Sequence, residues 1–434
     1  MDDTLHILIA DCVPVANKGE EAIVRGIEDT LAEGRPVALG LFDDVPEPTR
    51  RDNITVFPKD WIFRFQGLSG LSGSSRALRQ ILIALQLRCG LYGRLKNLVS
   101  GGAKGCQPLR DFFRKAKYVL VGHDGVFGVE SCGIIHLAKA HGKRTGIYGA
   151  STGVGGGRFY KRRLYRRALD ESDFCVFREE HSCASMRRVC SDPEKLVVGP
   201  DPAFAMRPVD PDEARAVLEQ DERYRRAREA GRPIVAVTAL ETGRVYAGFR
   251  PDLRGKEKQE AHARYLAAIL DGLLRTHRAF ILFLPHSVEQ SGSDIVAAQH
   301  VVERMTVDPD DVMILERDCQ ARLLKGIIGL CDFLIGERTH SLIGSVAMGT
   351  PFVALTNRRD TRTHGIIGQM CRCSEHIVDM DVTGEEDISP RVLERFSQRD
   401  VTREFLRHVR RDLSRRTEAV SRLIKWTHGG HPEP

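Results

Sequence analysis

The run GERTHSLIGSVAMGTPFVAL, residues Gly336 to Leu355, decides how the rest of the chain is read. Ahead of it Cys331 to Ile335 is a short apolar strand, Ser341 to Met348 is a helix of small residues stopped by Gly349 and Pro351, and Phe352 to Leu355 begins another strand. Strand, helix and strand in close succession describe a parallel sheet covered by helices. In such sheets ligands lie beyond the carboxyl ends of the strands, where a helix N-terminus offers unpaired N–H groups and partial positive charge to an anion. Arg338 adds a planar fork of donors suited to carboxylate or phosphate, and His340 adds a proton carrier near neutral pH. These two are the first catalytic candidates, with Ser341 beside them as a substrate ligand. A plainer account has Thr339 capping the helix, Arg338 paired with an acid such as Glu337, and His340 satisfied in the core. The coincidence of Arg, His, strand end and helix start favours function.

The same alternation extends outward. Leu5 to Ala10, Val37 to Phe42, Tyr118 to Gly122, Thr145 to Tyr148 and Phe174 to Phe177 read as strands of one α/β domain, with a helix from Glu20 to Leu31. Ile234 to Ala239, Phe280 to Leu284 and Val312 to Leu315 read as strands of a second. Residues 1–207 are expected to form an N-terminal Rossmann-like domain, and the charged, Pro-punctuated 208–232 an interdomain segment. Residues 233–388 are expected to form a C-terminal Rossmann-like domain, followed by tail helices over 389–434. Gly and Ser gather at Gln66 to Ser75 and Ser100 to Gly105, around a helical run from Arg76 to Arg94. Two strand ends open into glycine-rich turns, HDGVFG with His123 and Asp124, and GASTGVGGG with Gly153. Such turns cradle phosphate or sugar, or simply bend. A dinucleotide fingerprint ranks low, because Asp170 and Asp173 precede a strand instead of ending one.

At 434 residues the chain exceeds one ordinary core, and about 150 residues per domain allows two or three. No apolar run approaches the roughly 20 residues a membrane span needs, and Leu5 to Ala10 reads as a buried strand, not a signal peptide. The 11 cysteines are odd in number and lack framework spacing, which points to reduced thiols in a cytoplasm. Cys371, Cys373 and His376 approach one another, but zinc needs a further ligand pair and no metal is expected. A formal charge of +6 fits anionic substrates or an anionic membrane surface.

Taken in order, several segments resemble the polysaccharide pyruvyl transferase family across both halves. They are Asn17-Lys18-Gly19-Glu20-Glu21-Ala22, the strand at Tyr118, the glycine turn after Tyr148, the FREEHS run from Phe177, and Asp201-Pro202-Ala203-Phe204. Leu284-Pro285-His286-Ser287 followed by Asp294, and Arg338-x-His340 before Gly349-x-Pro351, complete the series. The resemblance implies two Rossmann-like domains in a glycosyltransferase-B-like fold with a C-terminal helical tail, residues 1–207 on the acceptor side and 233–388 on the donor side. It implies transfer of the enolpyruvyl unit of phosphoenolpyruvate onto two hydroxyls of a sugar or glycan, giving a pyruvate ketal, with no cofactor besides that donor substrate. Arg338 and His340 would occupy the donor-binding and catalytic positions. The chain departs from the family at His123-Asp124-Gly125, at Glu179, and in the Arg-rich loop Asn357 to Gly365, which bears on the acceptor more than on the fold.

In that chemistry His340 is the first general acid and His286 the second. Asn17, Glu21, His123, Asp124 and Gly153 are candidate substrate ligands, and Arg178 and Arg244 further sources of positive charge. Glu21 and Asp124 serve equally well as turn or cap residues. A nucleotide-sugar glycosyltransferase on the same architecture is the nearest rival; it expects a ribose-binding acid after Gly349, where only Asp360 stands. A non-catalytic binding protein is the third reading. The basic runs Arg158 to Arg167 and Arg403 to Lys425 suit peripheral contact with anionic lipid, or merely a solvated helix surface. They lack the interleaved aromatics of a nucleic-acid platform, and no nucleic-acid partner is expected.

Overall fold

Parallel strands buried on both faces read as unbroken apolar runs, and runs such as ILIA in Leu5–Cys12 and FILF in Phe280–Phe283 become interior strands of two sheets. A computed structural model describes residues 3–14, 16–32, 34–62, 106–122, 129–151, 159–240, 252–288, 293–306 and 308–426. The chain divides into two compact units. The first comprises Met1–Val15, Ile23–Pro202 and Arg416–Pro434, and the second Ala16–Ala22 and Ala203–Arg415.

The first unit holds β1 (Leu5–Cys12), β2 (Val37–Asp43), β3 (Thr49–Arg51), β4 (Ile54–Pro58), β5 (Tyr118–Val121), β6 (Arg144–Ala150), β7 (Phe174–Phe177) and β8 (Leu196–Val198). Their order is β3-β4-β2-β1-β5-β6-β7-β8, parallel except for the short edge strand β3. Leu8, Phe57, Phe113, Val119, Ile135 and Phe177 are among its buried core. The end of the chain joins this unit. Arg144 Nη1 donates to Lys425 O at 3.0 Å and Ser421 Oγ to Thr30 O at 3.1 Å.

The second unit holds β9 (Ile234–Thr238), β10 (Phe280–Phe283), β11 (Val312–Ile314), β12 (Phe333–Gly336), β13 (Phe352–Thr356) and β14 (Ile377–Asp379). All are parallel, in the order β11-β10-β9-β12-β13-β14. The direction of winding reverses between β9 and β12, which is where open α/β sheets bind ligands.

The expected boundaries differ from these units. The stretch 208–232 is not a linker but two helices of the second unit, Pro211–Leu218 and Glu222–Glu229. Its punctuation marks helix starts: Asp210 accepts from Asp212 N and Asp221 from Arg223 N, each at 2.8 Å, with Pro211 in the first turn. Tyr224 then meets Phe280 edge-on at 6.2 Å. The first tail helix, Glu385–Ser397, starts before 389 and buries Ile388, Val392 and Phe396 in the core of the second sheet. Among the described residues no helix is long and apolar enough to cross a membrane.

Candidate active site

Because β10, β9 and β12 are neighbours, the segments leaving their carboxyl ends converge, and one carboxylate joins them. Asp294 begins the helix Asp294–Val302, where the unpaired N–H groups favour negative charge, and Ser293 Oγ caps that helix by accepting from Ile295 N at 3.2 Å. Asp294 Oδ2 accepts from Arg338 Nε at 3.1 Å, from His286 N at 2.9 Å and from Ser287 N at 3.0 Å, while Oδ1 takes Arg338 Nη2. The Asp294 side chain is 1% exposed and that of Arg338 22%. Burial pushes the Asp294 carboxyl up, and the Arg338 fork and two backbone donors oppose it. With Nε and Nη2 held, Arg338 has a fixed direction.

His286 follows β10 and is buried, with Nδ1 3.1 Å from Leu284 O. A carbonyl only accepts, so Nδ1 carries the proton and Nε2 the lone pair. Burial first, then the charges of Arg338, His340 and Lys18, lower its pKa to about 4. It is neutral at pH 7. This corrects the expectation of His286 as an acid, because an imidazole held neutral at pH 7 carries no extra proton to deliver.

His340 lies in the first turn of the helix Thr339–Met348. Its ring packs where a side chain at Gly19 would be: a Cβ there would stand 2.3 Å from His340 Nδ1. Gly19 reaches this place because Asn17 forms an antiparallel bridge with Ser287 and Lys18 N donates to His286 O at 2.9 Å. Asn17 opens the helix Lys18–Leu31, its Oδ1 accepting from Gly19 N at 3.1 Å. The buried Lys18 ammonium meets Asp318 at 2.5 Å and Glu21 at 3.8 Å. Lys18, His286, Lys325 and His340 help line a cavity of about 20 Å³, room for about one water.

The sequence pattern of the family described as polysaccharide pyruvyl transferase matches residues 17–359, a span that begins at the Asn17 turn and contains every residue of this cluster. The chain belongs to that family. It is therefore a transferase, and the geometry above is that of a polysaccharide pyruvyl transferase family member. No curated protein is significantly similar to it in sequence. Among solved structures it is similar to a trehalose-6-phosphate synthase at 11% identity, covering 98% of this chain and 99% of that one, TM-score 0.52. It is similar to UDP-GlcNAc 2-epimerase from Neisseria meningitidis bound to UDP-GlcNAc at 12% identity, covering 98% of each, TM-score 0.50. It is also similar to a UDP-forming trehalose-phosphate synthase from Burkholderia xenovorans at 14% identity, covering 99% and 100%, TM-score 0.50. At such identities the likeness is one of fold, and it agrees with the expected glycosyltransferase-B-like class.

Of the residues singled out in the sequence of this pyruvyl transferase family member, Arg338, His340, His286, Asn17 and Glu21 come together. Asn17 and Glu21 were expected in the N-terminal domain, yet residues 16–22 cluster with the second unit, drawn there by the Asn17–Ser287 bridge. Ser341 is not a substrate ligand: fully buried, its Oγ donates to Arg338 O at 2.7 Å and lies 2.9 Å from Thr238 Oγ1. Arg178 is not a surface cation either. Its side chain is 0% exposed, with Nη1 on Asp201 at 2.9 Å and Nε on Ser151 Oγ at 2.7 Å. Glu337 pairs with His262 at 2.7 Å and accepts from Leu240 N, so Arg338 is left to Asp294. His123, Asp124, Gly153 and Arg244 lie outside the described residues.

Sequence reasoning missed Asp294 and Lys18 as site residues, and Gly19 as the seat of the His340 ring. The available signal for Asp294 was a Ser-Asp pair at a helix start shortly after a His-bearing strand end. Cys373 Sγ donates to Cys371 O at 3.3 Å and burial pushes that thiol up to about 12, which suits packing and not metal ligation. Among the described residues no three His, Cys, Asp or Glu side chains are grouped around a common point.

Proposed function

We propose that this transferase moves the enolpyruvyl unit of phosphoenolpyruvate onto two hydroxyls of a sugar or glycan, leaving a cyclic pyruvate ketal and phosphate. The observation that carries the reading is the Asp294 clamp, which aims Arg338 and anchors the His286 turn beside His340. A small donor with phosphate and carboxylate needs a fixed cation and a helix N-terminus; Nη1 of Arg338 and the start of Thr339–Met348 supply them. The 20 Å³ cavity takes water and not the donor, so the donor sits on the open side of Arg338.

His340 gives its proton to C3 of the donor, and the C2 cation that forms accepts one acceptor hydroxyl. The neutral His286 takes the proton released by that hydroxyl through Nε2. The C–O bond to phosphate then breaks with its electron pair leaving on phosphate, the second hydroxyl adds to the oxocarbenium carbon C2, and its proton passes to the departing phosphate, while the proton on His286 returns to His340 through solvent to reset the site. Atoms balance: donor plus diol gives ketal plus phosphate.

The nucleotide-sugar rival is disfavoured by Asp360. Its carboxylate caps the helix Thr361–Thr363 and accepts from Thr356 Oγ1 at 2.9 Å, Thr363 Oγ1 at 2.6 Å, and the N–H groups of Arg362 and Thr363 at 3.2 Å, so it is occupied and not available to a ribose. The test is incubation with phosphoenolpyruvate and a panel of sugars, following phosphate release and the mass of the acceptor together. Joint appearance of phosphate and a pyruvylated acceptor is expected. Turnover of a nucleotide sugar with phosphoenolpyruvate untouched would overturn the proposal.

A further inference from the structure

We infer that the second unit carries a docking groove for the phosphate headgroups of an anionic bilayer, formed by Met370 to Arg372 and one face of the helix Arg399–Trp426. A cavity of about 820 Å³ lies there, lined by Arg372, Arg411, Arg415 and His408 around an apolar floor of Phe405 and Val409. Among the described residues the only carboxylate lining it is Asp412, 3.5 Å from Arg415. Among the described residues Arg372 and Arg411 have no acidic partner, and both are exposed.

Two features set this groove apart from an ordinary solvated surface. Arg372 is a non-glycine residue at φ 57, a left-handed conformation that costs energy and is kept where the surrounding structure enforces it. Val401, 75% exposed, precedes Phe405 by one turn and Val409 by two, so an apolar line runs out of the groove along the helix. Cations beside an apolar line whose outer end is exposed at Val401 and whose middle, Phe405, is half-buried match a bilayer interface, where phosphates meet the guanidinium groups and the first acyl carbons meet Val401 and Phe405. The other basic run behaves differently. On the helix Phe159–Glu171, Arg162 donates to Arg188 O, Arg166 to Val189 O and Arg167 to Glu171, so these three guanidinium groups already have partners on the protein.

The test compares sedimentation of the full chain with vesicles of phosphatidylglycerol and of phosphatidylcholine, for the parent and for the double variant Arg372→Glu, Arg411→Glu. Neither residue belongs to the active site, and circular dichroism and thermal melting check that the variant folds. The parent should bind phosphatidylglycerol vesicles, weaken with salt, and ignore phosphatidylcholine. At about a fivefold factor for each surface cation, the variant should bind about 25-fold more weakly or worse. Equal binding by a folded variant would overturn the inference. So would equal binding to both lipids, or binding of inorganic pyrophosphate with no vesicle binding, which would mark a soluble-phosphate site instead. If the double variant does not fold, the single variants Arg372→Gln and Arg411→Gln are read the same way, each expected to lose about fivefold.

Discussion

At the scale of single residues, the site is a matter of which partners are already taken. Arg338 spends two of its nitrogens on Asp294 and keeps one direction for a ligand, whereas Arg178, expected only as a further source of positive charge, spends its donors on Asp201 and Ser151 in a fully buried pair. The two arginines should answer mutation differently. Arg178→Ala strands a buried carboxylate, so a loss of about 3–5 kcal/mol in denaturant melts is expected; full stability with a raised KM would contradict the burial. Asp294→Asn keeps the shape but loosens the fork, so kcat should fall by about tenfold or more with the fold retained, since small misplacements of an aiming group are costly. A kcat equal to the parent's would show that Arg338 needs no clamp. Both arginines stand between a strand and a helix in the sequence, and their burial is not legible there, because it depends on what is packed around a strand end, and the Asp294–Arg338 pair spans 44 positions.

At the scale of elements, the helix starts carry the chemistry and glycine sets their clearance. Gly19 has an ordinary helical backbone, so alanine costs nothing in backbone strain and gains about 1 kcal/mol in helix propensity. Its Cβ nevertheless falls on the His340 ring. Gly19→Ala should therefore leave thermal stability within a few degrees of the parent while lowering turnover; loss of both together would mean that Gly19 serves packing alone. The strand and helix alternation was legible because parallel strands leave uninterrupted apolar runs and Gly349 stops a helix visibly. The three-residue strands β3, β8, β11 and β14 bury too few side chains to leave a period of their own, although Val312 to Leu315 reads as an apolar run. The π-helix His364–Met370 leaves no local signature, and the helices in 208–232 were hidden by the prolines and charges that cap them.

At the scale of the whole molecule, the crossing of residues 16–22 into the second unit was beyond sequence reasoning, since it pairs Asn17 with Ser287 across most of the chain. Buried neutral histidines give the molecule a pH signature. His286 and His376 both have pKa values lowered to about 4, chiefly by burial, against about 6.5 unfolded. The unfolded chain therefore binds more protons between these values, and the stability they contribute is present above about pH 6.5 and lost as pH falls toward 4. Melting temperature should drop across that window, and His376→Leu, remote from the chemistry, should flatten the drop; parallel curves for parent and variant would refute this origin. The central claim is that His340 protonates C3 of phosphoenolpyruvate beside a clamped Arg338. Turnover of phosphoenolpyruvate and an accepting sugar in heavy water tests it most directly, for the parent and for His340→Ala. A deuterium in the methyl group of the ketal, with the variant slowed by about a hundredfold to ten-thousandfold while still folded, is the predicted result. A product methyl without solvent deuterium, or a variant as fast as the parent, would contradict it.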